Sequence, residues 1–579
     1  MSTEEQRRSE GGAGGRDWFR SAVVYQVYPR SFADSDGDGV GDLPGVIGKL
    51  DYLHHLGVDV VWLCPVYRSP QDDNGYDVSD FRDVDPIFGT LADLDRLITG
   101  LHDRGMKLVM DLVVNHTSDE HPWFVESRSG GQSPKRDWYW WRPPRSGHQG
   151  GSVGAEPNNW RSAFSGPAWE YDEVTGEYYL HLFSQKQPDL NWENPDLRSA
   201  VYEMMRWWLD RGVDGFRMDV VNYLSKEVSL PDGPTAPGMR YGDGSGYYIC
   251  GPRIHEFLQE MHRNVFWGRT GELLTVGEMP GVSVEDAILF TDPARGEVDM
   301  VFQFEHLMLD LEDGDKWRPR PLELTRLKAS LGRWQEVLAD RGWNSLYWGN
   351  HDAARAVSRF GDDGDYRVQS AKMLAGILHL HRGTPYVYQG EELGMTNMGF
   401  AAIEDHRDIE VLNHHREATS HLGRTDAEIL AAVARLNRDN ARTPVQWDAT
   451  PGAGFTTGSP WIAINPNADR INAASQVDDP DSVFSFYRRV IALRHDDPVV
   501  AQGDFTMLLP DHELVYAFRR ALPAVEMLVL GNFSADEQTV DVGDPTWAEA
   551  EQVLRNYPMQ STLRLRPWEL KVFRRAVRQ

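Results

Sequence analysis

The chain has 579 residues, 41% of them hydrophobic and 25% charged, which are the proportions of a soluble globular protein with room for more than one domain. Fifty-nine basic residues against 88 acidic ones leave a formal charge of −29, which argues against nucleic acid or an anionic membrane surface as a partner. The two cysteines, Cys64 and Cys250, make no disulfide framework and stand in no metal-type spacing. With no transmembrane run and too polar a start for a signal peptide, a cytoplasmic setting is the expectation.

Residues 1–15 are charged and then glycine-rich, the composition of a disordered tail. A β-type run over 23–28 ends at Pro29. Next, Asp34, Asp36 and Asp38 alternate with Ser and Gly up to Val40 and Asp42. Oxygen side chains at every second position match the first half of a calcium-binding loop, but the closing glutamate of an EF-hand is missing. The expectation is a turn stabilised by Ca2+ or Mg2+, with Asp34, Asp36, Asp38, Asp42 and the Val40 carbonyl as ligands.

From there helix and strand alternate. Val46, Leu50, Leu53 and Leu56 mark one helical face that Gly57 can end, and Thr90 is placed to cap a helix carrying Leu94, Leu97, Ile98 and Leu101. Apolar strands are predicted over 60–63, 108–114, 215–219, 273–278, 300–302, 345–348 and 384–388. Counting the first, eight near-continuous apolar strands separated by helices predict an α/β fold, a closed parallel (β/α)8 TIM barrel, over a doubly wound sheet. The long stretch between the third strand and the helix at Leu197 is rich in Trp, Gly and Ser and implies an inserted small domain. The expected organisation is a barrel over 16–115 and 192–502, an inserted domain over 116–191, and a C-terminal antiparallel β-sandwich domain over 503–579.

In such barrels chemistry sits at the C-terminal strand ends. Asp111 and His116 flank the end of the third strand, Arg217 and Asp219 end the fourth, Glu278 ends the fifth, and His351 and Asp352 follow the seventh. Arg217 and Asp219, two apart on a strand, share a face, so the arginine is expected to hold that aspartate ionised.

These segments carry a resemblance. Asp111-Leu-Val-Val-Asn115-His116, Gly215-Phe-Arg-Met-Asp219, Val276-Gly-Glu278 and Asn350-His351-Asp352 resemble the four signature regions of the α-amylase family of glycoside hydrolases. Gln187-Pro-Asp-Leu-Asn191 resembles the fifth region in its oligo-1,6-glucosidase form, and the segments 390–397 and 441–448 resemble the same subgroup. The resemblance implies a retaining exo-acting α-glucosidase with an oligosaccharide substrate and a structural cation, and it is compatible with a monomer or a small homo-oligomer. It implies Asp219 as nucleophile, Glu278 as general acid/base and Asp352 as the grip on the ring hydroxyls. His116, His351, Phe183 and Gln187 would contact sugar, and Asp73 and Tyr76 would bind the terminal glucose. Arg442 would pair with Asp73 and close the far end of the pocket. Val220, after the nucleophile, matches members that prefer α-1,6 bonds. An α-1,4 preference, transglucosylation or sucrose isomerisation, and trehalose-6-phosphate hydrolysis are the rival activities, and a non-catalytic relative with the same fold is the rival class. The marker of sucrose isomerases is not evident in residues 325–328.

Overall fold

The computed structural model describes residues 17–560 and 562–577; the tail expected over 1–15 lies outside them. Among the described residues, eight parallel strands form one sheet: β1 (Val24–Val27), β2 (Val60–Leu63), β3 (Lys107–Leu112), β4 (Gly215–Met218), β5 (Leu274–Glu278), β6 (Met300–Phe302), β7 (Ser345–Leu346) and β8 (Thr384–Tyr388). Each strand pairs with its successor, β8 returns to β1 through Tyr386↔Val24, and a Val301↔Asn344 bridge joins β6 to β7, so the barrel closes. β1, β2, β5, β6, β7 and β8 are buried along their whole length, because helices cover the outside and side chains fill the inside.

Two sequence expectations shift in detail. The predicted third, fourth and seventh strands stop two, one and two residues early, at Leu112, Met218 and Leu346. At β4 the reason is visible, since the Asp219 N–H still donates to the Leu112 carbonyl (2.9 Å) and the chain then turns away. The helix through Val46 and Leu56 is two pieces, Leu43–Ile47 and Leu50–Leu56, with Gly57 at φ 96° ending the second. Pro44, Gly45 and Gly48 make the junction a poor helix interior. Thr90 caps Leu91–His102 in a reciprocal capping box with Asp93.

Gly215 opens β4 at φ 146°, where an added Cβ would strike the Leu274 carbonyl of β5. The bare backbone there lets β4 and β5 meet in the register Arg217↔Val276.

After β3 the chain builds a three-stranded antiparallel sheet from Trp141–Arg142, Glu177–Leu180 and Trp169–Asp172. Its core of Trp140, Trp160, Trp169, Tyr178 and Leu180 also takes in Leu230 from the loop after β4. The Trp160 indole donates to the Pro231 carbonyl (2.8 Å), so the insertion is completed by barrel-loop residues well outside 116–191. At the C-terminus, Asp504–Leu508, Val515–Leu522, Val525–Asn532, Leu570–Ala576 and Glu551–Arg555 form a five-stranded antiparallel sheet accompanied by a two-stranded ribbon. It seats against the helix Arg367–His379, where a Cβ on Gly376 would collide with Leu570. No helix among the described residues is long and apolar enough to cross a membrane.

Candidate active site

Register alone assembles the centre. Asp111 on β3 is paired directly with Arg217 on β4, and Arg217 with Val276 on β5. Asp219 and Glu278 each lie two residues further on, so both point to the same side at the same height. Arg217 Nη1 reaches Asp111 Oδ1 at 2.5 Å and Asp219 Oδ1 at 2.8 Å, while its Nη2 reaches Glu278 Oε1 at 2.5 Å. One guanidinium therefore serves three carboxyl groups whose side chains are 0%, 10% and 7% exposed. Asp111 is further satisfied by the Trp62 indole and the Tyr76 hydroxyl, each at 3.0 Å.

Arg217 therefore does not single out Asp219, as expected from sequence; it divides itself among three acids. Burial, then the charge of Glu278, pushes Asp219 well above the usual carboxylate range, against the pull of Arg217. Burial also raises Glu278, with Asp352 and Asp111 adding to the rise while Arg217 and the Val220 amide oppose it. Burial therefore raises the proton affinity of both Asp219 and Glu278, with neighbouring carboxylates adding to the rise and Arg217 opposing it.

Asp352 differs. Its side chain is 33% exposed, the most open of the three acids carried over from the motifs. Although burial works in the opposite direction, Arg438 and Arg442, joined by His351 while that ring carries a proton, hold it well below the usual range. Arg442 Nη2 lies 2.7 Å from Asp352 Oδ1 and Arg438 Nη1 3.3 Å from the same atom. The expected Arg442–Asp73 pair is not what forms: Arg442 takes Asp352 and the His351 carbonyl, and Arg438 is the arginine that faces Asp73, at 3.5 Å. Arg438 begins the short helix Asp439–Arg442, which turns both guanidiniums toward the cleft, and Asp408 anchors Arg438 at 2.5 Å. Arg438 and Asp408 escaped sequence reasoning; the one available signal was the four-residue spacing of the two arginines.

The remaining predicted residues meet at the same mouth. Tyr76 stacks flat on His351 with centroids 5.1 Å apart, and His351 Nδ1 contacts Gln26 Nε2 at 2.8 Å. Gln187 Nε2 donates to Asp73 Oδ2 (3.1 Å) and sits 3.3 Å from His116 Nε2. Phe183 packs on the His116 ring at 5.2 Å. Burial lowers His116 to about 4 and His351 to about 3, so both rings are neutral near pH 7. Burial raises Asp73 to about 7, and its Oδ1 accepts no hydrogen bond within the described residues. Lys226, wholly buried, ties the mouth to the insertion through Asp189 (2.9 Å) and Asn115 (3.1 Å). Residues 325–328 lie elsewhere: they belong to the helix Leu324–Val337, where Lys328 donates to the carbonyls of Leu509, His512 and Val515. That stretch therefore says nothing about the cleft.

In the first loop, carboxylate oxygens of Asp34, Asp36 and Asp42 all lie within 4.8 Å of one another. Asp38 is outside this cluster; its Oδ1 accepts from the Val40 N–H at 2.7 Å. Three hard oxygen donors suit Ca2+ or Mg2+, so these residues fit the expected ion. The loop packs on 456–461; a Cβ on Gly39, at φ 96°, would strike the Ser459 carbonyl.

A parallel barrel whose C-terminal mouth gathers buried, arginine-bridged carboxyl groups beside a third, partly open one has the layout of a glycoside hydrolase. Residues 26–503 match the family model of the alpha amylase catalytic domain, and the chain belongs to the alpha-amylase family. It is 54% identical to an oligo-1,6-glucosidase of Parageobacillus thermoglucosidasius over 96% of this chain and 99% of that one. The fold matches the crystal structure of a mutant trehalose-6-phosphate hydrolase of Bacillus licheniformis with a TM-score of 0.90 at 44% identity, covering 96% and 99% of the two chains. A trehalulose synthase of Pseudomonas mesoacidophila matches with a TM-score of 0.90 at 43% identity, again over 96% and 99%.

Proposed function

We propose that the protein is a retaining, exo-acting α-glucosidase that removes glucose from the non-reducing ends of short α-glucosides and prefers α-1,6 bonds. The observation that carries this reading is the pairing of Asp219 and Glu278 through Arg217 beside a wall made of Asp73, Asp352, Arg438 and Arg442. With the proton on Glu278 and Asp219 ionised beside Arg217, Asp219 attacks C1 of the terminal glucose while Glu278 delivers that proton to the leaving oxygen. The bond from C1 to that oxygen breaks as the bond to Asp219 forms; Glu278 then takes a proton from water as the water oxygen bonds to C1 and the C1–Asp219 bond breaks, releasing glucose and restoring both carboxyl groups.

Exo action follows from the wall. Asp352, held ionised by two arginines, and Asp73, whose Oδ1 faces Arg438 at 3.5 Å, offer acceptors to the hydroxyls of one terminal ring, and the arginines stand behind that ring. Neutral His351, whose Nδ1 faces the Gln26 amide, can donate from Nε2 without adding charge, while His116 Nε2 faces the Tyr76 carbonyl at 3.1 Å. Val220 and the identity to an oligo-1,6-glucosidase favour the α-1,6 bond. The wall gives little to a phosphate, since Arg438 is engaged with Asp408 and Lys316 with Glu410. Within the same reading, Asp34, Asp36 and Asp42 hold a divalent cation whose role is to fix the loop.

The test is product analysis with isomaltose, maltose, sucrose and trehalose 6-phosphate side by side. Glucose from isomaltose in preference to maltose, released first as the α-anomer, is the expected result. Release of the β-anomer, or conversion of sucrose into an isomer as the main reaction, would overturn the reading.

A further inference from the structure

Val220 follows Asp219 directly and sits at φ 34°, ψ 42°, in the left-handed region. For a β-branched residue that conformation is a genuine outlier, and such strain survives only where the surroundings dictate it. Here they do. The Asp219 N–H is held by the Leu112 carbonyl (2.9 Å), the Val220 carbonyl accepts from the Tyr223 N–H (2.9 Å), and the Val220 side chain is 5% exposed. The result of the turn is that the Val220 N–H points at Glu278 Oε2, 3.1 Å away, while Glu278 Oε1 faces Arg217.

We propose that Val220 is a positioning residue for the acid/base: its strained backbone, and not only its side chain beside the substrate, orients the Glu278 carboxyl through the amide N–H. This rests on the α-glucosidase reading, in which Glu278 is the general acid. The amide matters most once Glu278 has given up its proton, because a donor stabilises the carboxylate and not the acid. It acts alongside the other groups around Glu278: Arg217 and Asp219 from β4, Asp111 from β3, Asp352 after β7, Tyr223 beyond the turn, and Tyr347 after β7. Of these Arg217 alone shares with the Val220 amide the sense of the effect, lowering the proton affinity of Glu278.

The backbone role predicts a signature that a pocket-lining side chain does not. Val220→Gly removes the isopropyl group and adopts the left-handed conformation without strain, so the amide stays on Glu278 and the alkaline limb of kcat/KM should stay at the wild-type position. Val220→Asn also removes the isopropyl group, and asparagine tolerates the left-handed conformation, so its limb should stay there too. Profiles are measured on maltose and isomaltose, so that a wrong linkage preference does not decide the result. Replacing the Val220 amide by an ester removes the N–H and keeps the side chain, so there the alkaline limb should move up by about one unit. Coincident limbs in the ester form and the wild type, or a limb moved as far in Val220→Gly and Val220→Asn as in the ester form, would overturn the proposal. A wild-type protein inactive on both disaccharides would instead overturn the enzymatic reading on which it stands.

Discussion

Replacing Arg217 by methionine isolates what the bridging guanidinium does. Its three contacts, to Asp111, Asp219 and Glu278, span 2.5–2.8 Å among almost fully buried groups. At an effective dielectric near 20 and a charge separation of about 4 Å, each pair contributes about 4 kcal/mol before desolvation. Most of that is offset by the cost of burying the ions, and breaking a buried network by removing one partner typically costs about 3–5 kcal/mol. The cost should depend on pH. Asp219 and Glu278 already hold their protons more tightly in the fold than in the unfolded chain, so the folded state binds more protons above the unfolded carboxylate values. Stability from these groups therefore falls as pH rises through that window. Removing Arg217 raises the folded values further, so the deficit of Arg217→Met should be small near pH 4.5, where protonation relieves the repulsion, and should approach its full size by pH 8. Calorimetric melting of variant and wild type across pH 4.5–8 at one scan rate reads it directly. A deficit independent of pH, or one under about 1 kcal/mol at pH 8, would refute the reasoning, because three buried acids would then be shown to tolerate the loss of their shared cation.

Three further outcomes are expected. Glu278→Gln should cut turnover of isomaltose by about 10^3-fold while sparing aryl α-glucosides with good leaving groups, because only the poor leaving group needs the proton; loss of both substrates to the same degree would refute the acid role. Arg438→Met should raise the KM for isomaltose at least about tenfold, equivalent to about 1.4 kcal/mol, since Asp352 and Asp73 lose a shared cation; an unchanged KM would show that Arg442 suffices. Chelator should lower the melting temperature of the wild type, with recovery on adding Ca2+ or Mg2+, and Asp36→Asn should be insensitive to both; a melting temperature unmoved by chelator would count against the cation.

Much of the architecture is legible without coordinates because it rests on local periodicity. Apolar runs such as 60–63 and 384–388 become barrel strands, since an apolar run closed by turn residues and followed by an amphipathic helix has few other ways to bury its surface. Where turn chemistry is encoded in neighbouring residues, as in the Thr90–Asp93 capping box, the local structure is legible too. Strand ends were less so, because β4 ends where the Asp219 turn begins, and that turn depends on Leu112 across the sheet.

By itself the sequence determined the barrel, the strand ends that carry polar groups, and the motifs that mark Asp219, Glu278 and Asp352. Tertiary structure alone decided how charge is shared among them. That Arg217 serves three acids follows from the register of β3, β4 and β5. That Arg438 joins Asp352, 86 residues away in the chain, follows from the packing of the segment after β8. That Val220 turns its amide onto Glu278, 58 residues on, follows from a left-handed backbone that no propensity would assign to valine. The physical reason is common to all three: apolar burial is read from spacing along the chain, whereas the balance of a buried charge depends on every group within a few ångströms, most of them distant in sequence.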